Sequence, residues 1–237
     1  NLRQQLRSEK TNEKEWEEER KYEEMKKIWL EDFSDIFKED LSKEDRINME
    51  PVKANLIEGH ENVEVFHPKV CNEVPAYLKK AAEKELKRML EGGLLEEAPG
   101  YSEHVSRGFF VQKGGKPGEE VKVRLVADFR GINRKLQRPE HPLENSWGIL
   151  KRLNPRHRFF AAIDFTSGYS QIPLAEESRD LFTIITPYGK FRPTVLPQGT
   201  SISPEVFDIG TAEEIRNTED CWKNADDVLG GGIELED

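Results

Sequence analysis

Phe160-Ala161-Ala162-Ile163-Asp164-Phe165-Thr166-Ser167-Gly168-Tyr169-Ser170-Gln171-Ile172 is an apolar run that carries one acidic residue and passes at once into a turn of small residues. Residues 159–163 have the length and the aromatic and β-branched content of a buried strand. A lone carboxylate at the end of such a strand is costly to bury unless a cation compensates it. Far downstream, Asn224-Ala225-Asp226-Asp227-Val228-Leu229 supplies two adjacent carboxylates. With Asp164 they would make a cluster of three, and close carboxylates raise one another's pKa unless a cation sits among them. Mg²⁺ suits such a place, because it takes oxygen ligands and leaves positions open for phosphate oxygens. The chemistry indicated is phosphoryl or nucleotidyl transfer by two metals about 3.5–4 Å apart. Each carboxylate alone also reads as a helix cap or a turn residue, so the chemical reading rests on their joint occurrence.

Composition narrows the class. The chain has 237 residues, 35% hydrophobic and 35% charged, enough for one large domain or two small ones. No apolar run approaches the length needed to cross a bilayer. The polar start, without Met, is no secretory signal and is expected to belong to a fragment of a longer chain. Cys71 and Cys221 are too few for a disulfide framework, which points to a reducing, intracellular and cytoplasmic setting. His60, His67 and Cys71 match no zinc spacing. Net charge is −10, but it is unevenly spread. Residues 1–50 hold 11 basic and 16 acidic groups (−5), whereas residues 107–158 hold 13 and 5 (+8). A basic segment inside an acidic chain is a candidate phosphate-facing surface, although on charge alone a solvated hairpin is the simpler reading.

Along the chain, residues 9–31 read as a charged helix with an apolar stripe at Tyr22, Met25, Trp29, Phe33 and Ile36. Residues 40–74 read as irregular and polar, broken by Pro51 and Pro68. A helix follows Pro75, with Leu78, Ala82, Leu86, Met89 and Leu90 on one face and Gly92-Gly93 at its end. Residues 109–111 and 121–127 read as strands joined by a hairpin loop at 113–118, whose glycines do not have phosphate-loop spacing. A short helix is expected at 147–153, a strand pair at 181–185 and 191–196, and a helix at 204–216.

Four of these stretches together resemble one family, the reverse transcriptase of gypsy-type LTR retrotransposons, and more distantly the retroviral enzymes. They are Arg124-Leu125-Val126-Ala127-Asp128-Phe129-Arg130-Gly131-Ile132-Asn133, the Asp164 stretch, Leu196-Pro197-Gln198-Gly199-Thr200-Ser201 with Pro204 and Phe207, and Ala225-Asp226-Asp227-Val228-Leu229. The resemblance covers roughly residues 75–230. It implies an α+β fold, a right-hand polymerase with fingers and part of a palm behind a charged helical linker. The expected division is 1–74 linker, 75–158 fingers and 159–237 partial palm.

The resemblance also implies roles. Asp164 and Asp226 would be metal ligands, with Asp227 as the third carboxylate and the Phe165 carbonyl also reaching a metal. Lys113 and Arg124 match residues that hold the triphosphate. Tyr169 matches the residue that lies under the sugar and excludes a 2′-hydroxyl, and Gln198 and Gly199 line the dNTP pocket. The implied cofactor is Mg²⁺, with Mn²⁺ as a substitute. The implied partners are an RNA or DNA template-primer, dNTPs, and the rest of a Pol polyprotein, namely thumb, RNase H and integrase; no membrane is involved. The sequence departs from the family at Asn224, where an aromatic residue is usual. It departs again at Lys223 in a normally apolar strand, and at Gly230-Gly231-Gly232 in place of an apolar exit strand. These features have weak strand propensity. With the chain stopping soon after, they suggest a truncated element and leave a catalytically silent nucleic-acid-binding remnant as the alternative.

Overall fold

The computed structural model describes residues 2–37, 42–63, 73–114, 120–224 and 226–233. His67, Cys71, most of the 113–118 loop and Ala225 lie outside the described residues. The charged N-terminal segment forms helix α1 (Leu2–Asp32). Tyr22, Trp29, Phe33 and Ile36 of its apolar stripe are exposed. No described helix is long and apolar enough to cross a membrane.

Helix α2 (Lys79–Glu91) follows a single 3-10 turn after Pro75 and ends at Gly92. Its apolar face, Ala82 and Leu86, packs with Leu78 against Phe110, Val123 and Phe191 of a five-stranded sheet. That sheet contains β1 (Leu95–Glu97), β2 (Val105–Gln112), β3 (Val123–Asp128), β5 (Thr183–Thr186) and β6 (Gly189–Pro193), in the order β1-β6-β5-β2-β3. Strand β2 pairs antiparallel with β3 and parallel with β5. Burial alternates along β2, with Ser106, Gly108 and Phe110 turned inward, as the two-residue period of a strand requires. Its other face carries Arg107, Phe109 and Val111. The short β1 carries no sequence signal that stood out. It exists because Leu95 and its neighbours find β6 as a partner.

A second sheet of three strands holds β4 (Phe159–Asp164), β7 (Cys221–Asn224) and β8 (Asp227–Gly232), in the order β4-β8-β7. Two expectations need correction here. Strand β4 is not buried: Phe160 is 50% and Ile163 47% exposed, because β4 lies at the sheet edge while helix α6 (Ser203–Arg216) packs on β7 at the other side. The low strand propensity of the glycine-rich segment also does not keep it from forming a strand. Strand β8 pairs along its whole length with β4, from Phe159↔Gly232 to Asp164↔Asp227. The glycines serve this packing. An added Cβ at Gly231 would stand 2.6 Å from Nδ1 of His157. That imidazole is only 1% exposed and lies beside Trp222 and Phe160, with Nε2 3.2 Å from an Asp220 carboxylate oxygen. The ring occupies the room that a β8 side chain would have taken.

A core of Phe129, Ile132, Leu136, Ile172, Phe182, Leu196, Ile202 and Phe207 takes Ile132 from the short helix α3 (Arg130–Asn133) and Phe207 from α6, and the short helix α5 (Glu176–Arg179) precedes Phe182. Residues 46–57 cross it as an irregular strap. The Ile47 amide donates to Gln171 O (2.8 Å), Val52 to Pro173 O (2.9 Å) and Ile57 to Lys135 O (2.8 Å), and the Gln137 amide returns a bond to Asn55 O (2.8 Å). Ile47, Met49, Val52, Ala54 and Leu56 line its inner side against the core.

The Gly231 contact is open to test. Gly231→Ala is expected to destabilise the chain by about 1–3 kcal/mol, the usual cost of overpacking. His157→Ala in the same chain should recover part of that loss. Thermal unfolding of the single and double variants measures the coupling, and additive losses would show that the ring is not what Gly231 accommodates.

Candidate active site

Asp164 closes β4 and faces Asp227, its direct register partner at the start of β8. One residue on, the Phe165 amide donates to Asp226 O at 3.0 Å. Opposed residues of an antiparallel pair project to the same face, with Cβ atoms about 4.5–5.5 Å apart. The two carboxylates therefore share one side of the sheet end, and Asp226 occupies the adjoining turn. All three are exposed. Like charges directly opposite each other destabilise a strand pair, so local packing does not explain this arrangement.

The turn after Asp164 is fixed from within. The Gly168 amide donates to Phe165 O (3.1 Å), and Ser170 N donates to Ser167 O (2.7 Å). The Gln171 side chain donates to Thr166 O (3.0 Å). Ser167 adopts a left-handed φ of 49°, a conformation that costs a non-glycine residue and clusters at functional sites. Gly168 has no Cβ because one would fall 2.7 Å from the Phe207 ring. Tyr169 is half-buried and meets the same ring edge-on, 5.3 Å between centroids. Burial pushes the Tyr169 hydroxyl pKa up, and the carboxylates of Asp226 and Glu205 push it further the same way.

The carboxylates and the Phe165 carbonyl form an all-oxygen donor set, which suits a hard divalent ion. Among the described residues, however, no three His, Cys, Asp or Glu side chains are gathered as a metal-holding group. The backbone thus brings three aspartates to one edge without closing their side chains on a single point. Mutual repulsion opposes that closure until a cation compensates it.

Gln198 and Gly199 lie exposed on the loop before α6. Gly199 has φ 92°, which favours glycine over residues with a Cβ. Asn133 holds this loop from both sides: its Nδ2 donates to Gly199 O (3.0 Å) and its Oδ1 accepts from the Ser201 amide (2.9 Å). Nothing in the sequence pattern singled out Asn133 for that task. Lys113 and Arg124 stand exposed on the other sheet. Arg124 is opposite Val111 in the β2–β3 register, and Lys113, two residues beyond Val111, continues the same face. No hydrogen bond or ion pair among the described residues ties either of them to the three aspartates. Asp128 is engaged locally by a two-pronged Arg130 contact at 2.8 and 2.7 Å, which holds its carboxyl below the usual range.

Lys223 and Asn224 also have explicit partners. Lys223 is 7% exposed, and its Nζ donates to Asp208 Oδ1 on α6 at 2.8 Å and lies 4.7 Å above the Phe207 ring. Asp208 Oδ2 is 2.6 Å from His141 Nε2. Burial raises the Asp208 pKa, but the Lys223 and His141 contacts outweigh it and leave the carboxyl below its ordinary value. Asn224 donates to Ser146 Oγ at 3.2 Å, at the start of the short helix α4 (Ser146–Arg152).

Comparisons with known proteins agree on one relationship. Residues 111–230 match the family profile described as "Reverse transcriptase (RNA-dependent DNA polymerase)". The chain is similar to the retrovirus-related Pol polyprotein from transposon 412 of Drosophila melanogaster, 36% identical over 124 residues, covering 52% of this chain and 10% of that polyprotein. It is also similar to the Pol polyprotein from transposon gypsy of the same fly, 32% identical over 148 residues, covering 61% of this chain and 14% of the relative. In fold it is similar to the foamy viral protease-reverse transcriptase in complex with RNA/DNA hybrid, with TM-score 0.72 and 19% identity, over 90% of this chain and 27% of the other.

The Asn133 bridge predicts a measurable effect. Asn133→Ala removes two hydrogen bonds, each worth about 0.5–1.5 kcal/mol net, and is expected to lower stability by about 1–3 kcal/mol. Proteolytic cleavage within residues 197–202 should accelerate with it. Wild-type cleavage rates in the variant would show that the loop is held by other means.

Proposed function

The chain belongs to the reverse transcriptase family, and from that premise we propose that it supplies the fingers and palm of an RNA-directed DNA polymerase within a retroelement Pol polyprotein. In this reading residues 75–158 form the fingers and residues from 159 onward the palm, with β5 and β6 returning to complete the fingers sheet. Its main support is the direct opposition of Asp164 and Asp227 across β4 and β8. A fold gains nothing from setting two carboxylates face to face, whereas metal-dependent phosphoryl chemistry needs such a pair.

Asp164, Asp226 and Asp227, with the Phe165 carbonyl, would hold Mg²⁺, or Mn²⁺ in its place. The ions, when bound, lower the pKa of the primer 3′-hydroxyl and stabilise the leaving pyrophosphate. The remaining work falls to the protein. Lys113 and Arg124 neutralise charge on the triphosphate, Arg with a planar fork and Lys with a point charge. Tyr169, backed by Phe207, presents a rigid wall to the sugar, and rigidity is what steric rejection of a 2′-oxygen requires. Gln198 and Gly199, held by Asn133, border the incoming nucleotide. The basic stretch at residues 107–158 faces template-primer phosphates, whose contacts dominate nucleic-acid affinity. The thumb, RNase H and integrase of the polyprotein are the proposed covalent neighbours.

The test is extension of a DNA primer on an RNA template by this chain fused to the downstream polymerase segment of a related Pol polyprotein. Mg²⁺-dependent extension is expected, and Asp164→Asn should reduce it at least about 100-fold, since a catalytic metal supplies several kcal/mol. Extension that survives this substitution would overturn the reading. In the same fusion, Tyr169→Ala is expected to relax discrimination against ribonucleotides about tenfold or more, with dNTP use less affected. Undiminished discrimination would remove Tyr169 from the sugar site.

A further inference from the structure

The three-aspartate edge depends on a hairpin that is unusually polar at its base. Its first strand buries Lys223 and ends at Asn224, which opposes Asp227 in register. Consecutive strand residues point to opposite faces. Lys223 therefore reaches one way, to Asp208 on α6 (2.8 Å), and Asn224 the other, to Ser146 (3.2 Å). His141 completes the first arm through Asp208 (2.6 Å). His141 and Ser146 lie in one short segment, so residues 141–146 grip the strand from both sides immediately before Asp226 and Asp227.

Resting on the polymerase reading above, we infer that Lys223, Asp208, His141, Asn224 and Ser146 form a two-sided clamp that positions Asp226 and Asp227 against Asp164. These are positioning residues that act through Asp226 and Asp227; Asn224 shares the face of Asp164 and Asp227, but its amide is engaged by Ser146. The clamp explains why a buried lysine is tolerated here. A buried charge is costly unless it is paired and hydrogen-bonded; Lys223 has a carboxylate at one contact and an aromatic face at another. The pairing also fixes direction, because an ammonium bonded to one carboxylate and stacked on one ring has little freedom. Apolar packing would hold the strand against α6 but would not define its position along the helix. Charge pairing to Asp208 does, and the Asn224 arm adds a second fixed point on the other face.

The experiment uses the 237-residue chain itself, with two readouts: Mn²⁺ affinity by electron paramagnetic resonance, and amide hydrogen exchange resolved by segment. Asp164→Asn marks the metal site. The double variant Lys223→Met with Asp208→Asn removes both charges and leaves neither one bare. It is expected to keep a melting temperature near wild type. Its Mn²⁺ affinity should nevertheless fall about tenfold, as for lost supporting contacts around metal ligands. Exchange in β7 and β8 should accelerate about tenfold while β2 and β3 keep their protection. The charge-exchanged variant, Lys223→Asp with Asp208→Lys, should recover part of both properties, because it restores the strand-to-helix pair but leaves His141 without its carboxylate. Unchanged affinity and unchanged hairpin exchange in the neutral variant would overturn the clamp. If wild type and Asp164→Asn bind Mn²⁺ alike, the metal reading has failed on its own, and hairpin exchange decides the clamp. Should the neutral variant not fold, Asn224→Ala tests the other arm: about threefold faster hairpin exchange supports the clamp, and none overturns it.

Discussion

The Phe207 ring has no exposed surface, and both halves of the aspartate edge rest on it. Phe165 meets it at 5.4 Å and Tyr169 at 5.3 Å, each edge-on, while Gly168 comes so close that a methyl group would collide. On another side the Lys223 ammonium sits over the ring at 4.7 Å. The turn after Asp164 and the strand before Asp226 therefore share one rigid support. Removing a buried phenylalanine typically costs about 3–5 kcal/mol. Here the loss would also free two loops whose relative position is the site. The residue belongs to the core and supports the aspartate edge at once, so its two parts cannot be separated.

Charge is arranged around that support in two contrasting ways. At the edge, Asp164, Asp226 and Asp227 are exposed, Asp164 faces Asp227, and no ion pair among the described residues engages them. In the interior the charge is compensated: Asp208 on α6, with its side chain 12% exposed, receives Lys223 and His141. Buried carboxylates must be paired or they protonate. Exposed ones can remain bare and ready for an ion from solution. The depth of each aspartate thus decides whether it serves structure or remains available for chemistry.

The two sheets are joined by contacts that run far across the sequence. Asn133, after β3, bridges the loop of Gly199 and Ser201. The strap at 46–57 bonds both to Gln171 and Pro173, beside the Asp164 turn, and to Lys135, beside Asn133. Strand β5 enters the first sheet next to β2 although it follows β4 in the chain. These cross-links tie the segment that follows the β2–β3 hairpin to the aspartate edge, the strap through backbone hydrogen bonds and Asn133 through its side chain.

Much of this could be read from local pattern. Residues 204–216 and 147–153 read as helices, and Asp164, Asp226 and Asp227 stand out as carboxylates beside apolar runs. Their order also carries the family relationship, because chemistry constrains residue type at each motif. Local pattern misleads where a residue's partner is distant. Lys223 and the three glycines of β8 look like strand breakers by propensity. Yet Asp208 neutralises the one and His157 fills the space left by Gly231. Strand β4 looks buried by its apolar content, but its edge position leaves Phe160 in solvent. Propensity and periodicity are properties of neighbours in sequence, and they marked most of the helices and strands, though not β1 or β8, which form on their partners. Compensation of charge, filling of space and the meeting of carboxylates depend on neighbours in space, and only the tertiary structure decided those.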